Sequence, residues 1–236
     1  MLQVECIEDG QSIGQLVLRN ANILRLLKGK PSIISIVTGQ CDERNTMEAF
    51  ISDIYRTAYN ADIKVTYPYL LGVLNDTGDL IAAAGFRPAS DGPLFLETYL
   101  TDSVDKLLVA DRKKIVEIGN LASNGKGASL FLFAAISAYL YHHNYQYAVA
   151  TGTDFLERRF QQIGLKPRRL GQAFPLSETE NDDNWGSYYL TRPHVLSGSV
   201  SDGYAQLQHQ LGVDFSPGKN LPRLNSQNEE AQRNVV

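Results

Sequence analysis

Alternation of apolar and polar positions divides most of the chain into short strands and helices. Residues 32–39 (SIISIVTG) are rich in β-branched side chains and predict a strand. Residues 42–62 then repeat apolar side chains three and four positions apart from Met47 onward, with acidic residues in the first turn, which is typical of an amphipathic helix. Residues 69–75 and 79–89 predict two strands, and the sequence Asp-Thr-Gly between them predicts a hairpin turn.

The second half of the chain mixes both kinds of element. Strands are predicted over residues 92–100, 114–123, 145–153 and 185–190, and again after about Arg168. Helices are predicted over residues 103–111, 128–142 and 153–164. The second of these has few polar positions, which predicts burial on most of its surface. The order of elements predicts an α/β (α+β) fold, a mixed and strongly twisted sheet with helices on both faces.

The two ends of the chain have weaker patterns. Residues 1–30 are of mixed character and predict an N-terminal extension that either pairs as an edge hairpin or packs loosely. We expect residues 31–197 to form the main domain. From Gly198 onward the pattern is lost, so residues 198–236 predict a polar, flexible tail.

Composition narrows the class of protein. The chain has 236 residues, 43% of them hydrophobic, which is enough for a sizeable core. A net charge of −4 argues against nucleic-acid binding, which needs a basic surface. One basic cluster stands out, and it is either a solvated helix end or a contact for an anionic cofactor. Its members are Arg158, Arg159, Lys166, Arg168 and Arg169.

Targeting and metal signals are weak. Cys6 and Cys41 form no CxxC pair and have no histidine at metal-ligand spacing, so we expect neither a disulfide framework nor a metal site. The N-terminus lacks the pattern of a signal peptide, and no apolar stretch is long enough to span a bilayer. A cytoplasmic protein without stable membrane insertion is the expectation.

The loop of residues 123–129 (SNGKGAS) joins a predicted strand to the predicted buried helix. A helix N-terminus carries unpaired N–H groups, and glycines before it let those groups converge on a phosphate. Gly125 and Gly127 supply that freedom and Lys126 supplies charge. The spacing is neither that of a P-loop nor GxGxxG, so the loop is either an anion site or an ordinary turn.

Two glutamates lie within apolar predicted strands. Glu117 lies in KIVEIGNLAS and Glu97 in LFLETYL. A buried carboxylate is costly, and burial raises its pKa, which suits a general base acting on an amine. The alternative is that Arg87 or backbone groups satisfy each acid, which then only braces the sheet.

Residues 115–165 resemble the core of the GNAT acyltransferase superfamily. The order strand, turn, helix, strand and helix is similar, and Phe160, Gly164 and Leu165 look like the second GNAT signature. The resemblance implies that the glycine-containing turn binds the pyrophosphate of an acyl carrier. Phe160 stands where many members have the tyrosine that acts as general acid.

Two narrower resemblances extend the first. The layout of AGFRPASDGPLFLETYL followed by VEIGNLAS is similar to that of acyl-homoserine-lactone synthases, with Arg87, Glu97 and Glu117 at comparable places. Asn120 stands where that family has arginine. The order FLETYL, VEIGNLA, GLKP, NWGSYY resembles the thermostable hemolysin family over residues 37–200.

These resemblances imply an acyltransferase that moves an acyl group from coenzyme A or acyl carrier protein to the amine of an amino acid or related small metabolite. Glu97 and Glu117 would hold the amine, one of them as base, and backbone N–H groups near Asn120 would stabilise the oxyanion. The implied acyl-carrier site comprises Leu121, Ala122, Ser123, Asn124, Gly125, Lys126, Gly127, Ala128 and Ser129.

Further substrate contacts and partners are less defined. Arg87, Trp185 and Tyr188 are candidate substrate-binding residues, although the two aromatics also fit the core of a last strand. Acyl carrier protein is a candidate partner, and the protein is either a monomer or a homodimer. The alternative function is a non-enzymatic, lipid-binding or membrane-active protein, for which we find no basic amphipathic helix.

Overall fold

Ten strands form one mixed sheet in the computed structural model, which describes residues 1–20, 30–125, 127–175 and 184–218. In chain order the strands are β1 (Leu2–Glu8), β2 (Gln11–Leu18), β3 (Pro31–Val37), β4 (Tyr69–Asn75), β5 (Leu80–Pro88), β6 (Ile115–Ser123), β7 (Tyr147–Gly152), β8 (Arg168–Gln172), β9 (His194–Ser199) and β10 (Val213–Pro217). The α-helices in this part of the chain are α1 (Asp42–Tyr59), α2 (Val104–Leu108), α3 (Ala128–His142), α4 (Asp154–Gln162) and α5 (Val200–Leu211). Short 3₁₀ helices span Ala89–Asp91, Phe95–Tyr99, Arg112–Lys114 and Tyr188–Thr191.

The strand order across the sheet is β10-β2-β1-β3-β4-β5-β6-β7-β9-β8. Two neighbouring pairs, β1 with β3 and β6 with β7, are parallel, and the other pairs are antiparallel. Helices α3 and α5 pack on one face, while α1 covers the other face above β4, β5 and β6. The predicted mixed sheet with helices on both faces is therefore confirmed.

Capping residues mark the ends of the helices. Helix α1 begins after Cys41, whose Sγ accepts the N–H of Arg44, and ends at left-handed Asn60. Helix α4 begins at the predicted cap, since the Thr153 hydroxyl accepts the N–H of Leu156. Helix α3 follows left-handed Gly127 and is buried along most of its length, as its apolar composition predicts.

The predicted strand over residues 92–100 is wrong, because this segment contains the 3₁₀ helix Phe95–Tyr99. Three consecutive backbone N–H groups, those of residues 94–96, go to side chains instead of to a neighbouring strand. Glu97 accepts the N–H of Leu94 at 2.8 Å, and Glu117 accepts the next two N–H groups. Pro93 has no N–H to contribute to a strand ladder.

The predicted strand over residues 185–190 is also wrong. Asn184 makes an isolated bridge with Asp62, and the chain then turns at Gly186, whose φ is +51°. The Asn184 side chain accepts the N–H of Gly186 at 3.0 Å, which is a local alternative to strand pairing. The 3₁₀ helix Tyr188–Thr191 follows.

The first and the last of the described segments both contribute strands to the sheet. Strands β1 and β2 form the predicted hairpin, but β1 also pairs with β3 and β2 with β10, so the hairpin is neither at an edge nor loosely packed. The patternless tail predicted from Gly198 is wrong for residues 200–217, which form α5 and β10. Residues 21–29 and 219–236 lie outside the described part of the chain.

Helix α5 is held by a stripe of side chains that face the core. The stripe consists of Val200, Tyr204, Leu207 and Leu211. We predict that Leu207→Ala, at a position with 0% exposure, lowers the free energy of unfolding by about 2–5 kcal/mol through the cavity it leaves. Urea unfolding measures this. The matched control Gln210→Ala, on the exposed side of α5, should stay within about 0.5 kcal/mol of the parent, and equal effects would contradict the packing of this helix.

Candidate functional site

Strands β6 and β7 separate partway along their length. Their parallel pairing ends at Ile118 and Ala150, whereas β6 continues to Ser123 without pairing to β7. The register of β6 with β5 also shifts here, and Asn120 has a φ of +50°. A bulge of this kind redirects backbone groups and side chains at the end of a strand pair. The result is a gap in the sheet beside residues 119–123.

One cavity lies at this gap on the face covered by α3. It has a volume of about 370 Å³ and is lined mainly by apolar side chains. Ile118 and Leu121 of β6, with Ala150 of β7, form its floor, and we call it the α3-side cavity. The residues that resemble the second GNAT signature, Phe160, Gly164 and Leu165, also line it.

Of the predicted acyl-carrier residues, Leu121 lines the α3-side cavity. Ala122 is buried on the opposite face, under α1, and Ser123 pairs with Ala82 of β5. The N–H of Asn124 donates to Ile81 O at 3.1 Å, which continues the pairing of β6 into the turn.

The turn that follows has the geometry expected of a glycine-rich helix entry. Gly125 and Gly127 have φ of +80° and +86°, a region that strains other residues. The N–H of Ala128 closes the turn on Gly125 O at 3.0 Å, and Ser129 lies in the first turn of α3. Phe133, which lines the cavity, lies roughly 7 Å further along the helix. Lys126 lies outside the described residues.

Glu117 lies on the other face of the sheet, where it is only 1% exposed. Its two carboxylate oxygens accept the N–H groups of Phe95 and Leu96, each at 3.1 Å, and the Tyr67 hydroxyl also donates to it. Burial raises the pKa of Glu117, although these three bonds and the charge of Arg87 partly offset that effect. The predicted raised pKa is thus confirmed in direction and cause.

Tyr67 reaches Glu117 because two paired glycines make room for its ring. Gly85 of β5 and Gly119 of β6 are register partners on this face. A Cβ at Gly119 would lie 2.0 Å from Tyr67 Oη, and one at Gly85 would lie 2.6 Å from the Tyr67 side chain. Arg44 of α1 fixes the backbone by donating to Tyr67 O and to Pro68 O. Sequence reasoning missed Tyr67, and the aligned glycines were the available signal.

A small pocket opens in front of Glu117. Its volume is about 60 Å³, and we call it the Glu117 pocket. It is lined by Tyr55, Lys64, Thr66, Tyr67, Arg87, Phe95, Tyr99, Glu117, Gly119, Asn120, Thr151, Trp185 and Tyr188. Trp185 Nε1 and Thr151 Oγ1 are buried here, and neither has a hydrogen-bond partner among the described residues. A ligand that offers oxygen acceptors would satisfy both groups.

The pocket brings together five of the six predicted catalytic and substrate-binding residues. They are Arg87, Glu117, Asn120, Trp185 and Tyr188. The α3-side cavity and the Glu117 pocket flank the same stretch of β6 from opposite faces. The two aromatics therefore line the pocket of the carboxylate, on the face away from the apolar cavity.

Glu97 does not join this pocket, so the expectation of two acids on neighbouring strands is wrong. Its carboxylate lies in the 3₁₀ helix and pairs with Arg112, with N–O distances of 2.7 and 3.2 Å. Burial alone would raise the pKa of Glu97, but Arg112 and the N–H groups of Leu94 and Val104 outweigh it and lower the pKa. The bracing alternative holds for Glu97, with Arg112 as partner in place of Arg87.

One member of the predicted basic cluster, Arg169, forms ion pairs with acidic residues of the protein itself. Arg169 donates to both carboxylate oxygens of Glu157 and to Asp154 Oδ1, the last at 3.1 Å, and its guanidinium contacts His194 Nε2 at 3.3 Å. Asp154, Glu157 and His194 have a spacing that could hold a cation. Arg169 already balances the two carboxylates, so we treat this group as a structural ion-pair network.

Solved structures with a similar architecture include acyl-homoserine lactone synthases. The AHL synthase LasI matches with a TM-score of 0.53 and 14% identity, covering 84% of this chain and 97% of that chain. The CoA-dependent synthase MesI matches with a TM-score of 0.50 and 15% identity, covering 77% and 96%. The CoA-dependent synthase BjaI, solved with SAM and isopentyl-CoA, matches with a TM-score of 0.50 and 14% identity, covering 72% and 83%. These likenesses show a GNAT-like acyltransferase fold.

The family follows from the sequence itself. The pattern of the thermostable hemolysin family matches residues 37–204, so the chain belongs to that family. Both sequence resemblances, to this family and to the lactone-synthase layout, are confirmed. No protein of curated function matches the sequence. Among the described helices, none combines the length and apolar character needed to cross a bilayer.

The raised pKa of Glu117 makes a prediction about stability. Because the folded state favours the protonated carboxyl, the parent protein should lose stability relative to Glu117→Gln as pH rises from the ordinary glutamate pKa of about 4.5 through the raised pKa of the folded state. Urea unfolding of both proteins across that window measures the difference. Glu43→Gln, at an exposed position of α1, controls for the loss of one negative charge. A difference that is flat with pH would contradict the burial effect.

The close approach of Tyr67 to the sheet makes a second prediction. Gly119→Ala should displace the Tyr67 ring from Glu117 and lower the free energy of unfolding by about 1–3 kcal/mol, because the added Cβ has no space. Thermal or urea unfolding measures it. Gly39→Ala is the matched control, because a Cβ at that position meets nothing within 4 Å and its φ is not left-handed. Comparable losses at both sites would disprove the contact.

Proposed function

We propose that this protein is an N-acyltransferase that moves an acyl group from a coenzyme A or phosphopantetheine thioester to the amine of a small metabolite. The observation that carries the proposal is the pair of cavities on opposite faces of residues 118–121. An apolar cavity suited to an acyl donor and a pocket with a buried carboxylate suited to an amine are lined by neighbouring residues of β6, where β6 and β7 separate. The GNAT-like fold supports the same chemistry.

The acyl donor occupies the gap beside residues 119–123 and the α3-side cavity. Backbone groups of β6 that have left the pairing with β7 bond the pantetheine amides, as strand addition does at other sheet edges. The described residues of the turn, Asn124, Gly125 and Gly127, and the N-terminus of α3 then bind the phosphates. Apolar side chains of the cavity, Ile118 and Leu121 among them, contact the acyl chain.

The acceptor amine occupies the Glu117 pocket. Glu117 takes a proton from the ammonium, and the free amine attacks the thioester carbonyl through the gap. Backbone N–H groups near Asn120 stabilise the oxyanion. As the C–N bond forms and the C–S bond breaks, the second amine proton leaves to the thiolate. A thiolate is a good leaving group, which is consistent with Phe160 where other members have an acidic tyrosine.

The polar groups of the pocket favour an amine that also carries a carboxylate. Arg87 is half-buried and lines the pocket, where its guanidinium donates to Thr66 O at 3.1 Å. Trp185 Nε1 and Thr151 Oγ1 offer two further hydrogen bonds to oxygen acceptors. An amino acid or a related small metabolite supplies both the ammonium for Glu117 and the oxygens for these three groups.

Donor binding is tested without turnover. Coenzyme A at 100 times its Kd should stabilise the protein by about 2.7 kcal/mol, seen as a higher melting temperature. Ala150→Phe should abolish that shift, because Ala150 lines the α3-side cavity. Ala49→Phe, an exposed position on α1, is the matched control and should keep it. No shift with either coenzyme A or a phosphopantetheinylated carrier protein would rule out the donor assignment.

Acyl transfer is tested by thiol release together with mass spectrometry of the product. Glu117→Gln should lower kcat/KM by roughly 10²–10⁴-fold, because the general base is lost, while coenzyme A still raises the melting temperature. In the parent, activity should rise with pH through the raised pKa of Glu117, since the carboxylate is the active form. Thr151→Val should raise the KM for amino acids more than the KM for the matching amines that lack a carboxylate. Unchanged transfer by Glu117→Gln would refute the base.

A further inference from the structure

The two N–H groups that bond Glu117 come from a segment that needs external support. Phe95 and Leu96 open a 3₁₀ helix of only five residues, Phe95–Tyr99, which is too short to hold its own conformation. Whatever fixes this helix also fixes the two N–H groups at the carboxylate. The contacts that do so come from outside the helix and from its own Glu97.

Arg112 ties the segment to its surroundings with all five of its N–H groups. Its Nε donates to Ala89 O at 2.7 Å, and one terminal nitrogen donates to Gly92 O at 2.6 Å. The other terminal nitrogen donates to Asp105 Oδ1 at 2.9 Å, and both reach Glu97 at 2.7 and 3.2 Å. A guanidinium that uses every donor and makes a bidentate contact to a carboxylate holds its partners in one fixed geometry.

Glu97, which belongs to the 3₁₀ helix, is the carboxylate partner of Arg112 and also accepts two backbone N–H groups. Its Oε2 accepts the N–H of Leu94 at 2.8 Å, which caps the helix start, and its Oε1 accepts the N–H of Val104 at 2.9 Å. With Arg112 on both oxygens, the carboxylate is fully occupied by the protein. Glu97 therefore has no free acceptor for a substrate, and its position next to Leu96 makes it a brace for the segment.

We propose that Arg112 and Glu97 are positioning residues, whose ion pair holds the N–H groups of Phe95 and Leu96 against Glu117 so that its buried carboxylate can remain charged. The catalytic consequence rests on the proposed function, whereas the effect on Glu117 does not. If either partner is lost, the segment relaxes, the N–H bonds weaken, and Glu117 holds its proton to higher pH. Arg112 acts through the backbone, since its own bonds go to other residues.

Other groups around Glu117 bear on its charge. The titratable or charged side chains that share its pocket are Tyr55 from α1, Lys64 and Tyr67 from the loop before β4, Arg87 from β5, Tyr99 from the 3₁₀ helix, and Tyr188. Burial raises the pKa of all four of these tyrosines, so they stay neutral and act as dipoles. Arg87 favours the charged carboxylate by Coulomb attraction. None of these groups changes in the variants below.

Opposite charges on the two positioning residues make the test decisive. If charge acted only through space, Arg112→Met would favour protonation of Glu117 and Glu97→Gln would disfavour it. If the pair acts by holding the segment, both substitutions shift Glu117 in the same direction, towards protonation at higher pH. The sign of the effect in Glu97→Gln therefore separates the two accounts.

The experiment titrates Glu117 directly by carbon NMR of the full chain with labelled glutamate, its signal assigned by its loss in Glu117→Gln. Arg112→Met and Glu97→Gln should both move the Glu117 midpoint upward. Loss of one hydrogen bond to the carboxylate should also lower kcat/KM by about tenfold on the acid side of the pH profile, with little change at the alkaline plateau. Arg19→Met is the control, because the pair of Arg19 with Asp214 lies at the β2–β10 end of the sheet.

The outcomes are distinct. A downward shift in Glu97→Gln, or no shift in either variant, overturns the positioning role. If Arg112→Met does not fold, Arg112→Lys retains the charge without the five-donor fork and should give a smaller upward shift; an unmoved midpoint overturns the role there too. Absence of any acyl transfer by the parent would refute the proposed function, while the NMR midpoints would still decide this inference.

Discussion

A carboxylate buried on the face of a central strand is the constraint on which this site depends. Glu117 is shielded from water almost completely, and a charge there is tolerated only with hydrogen bonds supplied by the protein. The bonds come from the 3₁₀ helix Phe95–Tyr99 and from Tyr67, two segments far apart in sequence. Satisfying one side chain therefore fixes the relative positions of a strand, a short helix and a loop, which together form the wall of the pocket.

The proposed reaction also requires that groups bound on opposite faces of the sheet can reach each other. A continuous sheet would separate the proposed acyl donor under α3 from the proposed acceptor at Glu117. The bulge at Asn120 and the end of pairing at Ile118 and Ala150 interrupt the sheet over a few residues, which is where the proposed reaction would take place. Helix α5 and strand β10 close the sheet at its other end and pack against α3, so the interruption at β6 and β7 does not leave the fold without support.

Local patterns predicted the elements whose backbone bonds are local or periodic, and failed where side chains replace the backbone ladder. The strands at β3, β4, β5 and β6, and the buried helix α3, follow directly from apolar periodicity. The segment LFLETYL alternates like a strand, yet Glu97 and Glu117 accept its N–H groups. Glu117 was predictable because an acid in an apolar strand is conspicuous. Tyr67 was missed although the two aligned glycines offered a signal, and Arg112 was not predictable, because its role arises only from contacts between distant parts of the chain.

Asn120 shows how one residue can decide what the buried carboxylate does. The backbone there is left-handed, a conformation that asparagine adopts more readily than most residues, so the bulge itself favours this side chain. The lactone-synthase pattern that the sequence resembles implies an arginine at the comparable place. An arginine beside Glu117 would hold its carboxylate as an ion-pair partner and lower its pKa. With a neutral side chain at this position, Arg87 and the N–H groups only partly offset burial, so the pKa of Glu117 stays raised, which is the direction that the proposed general base requires.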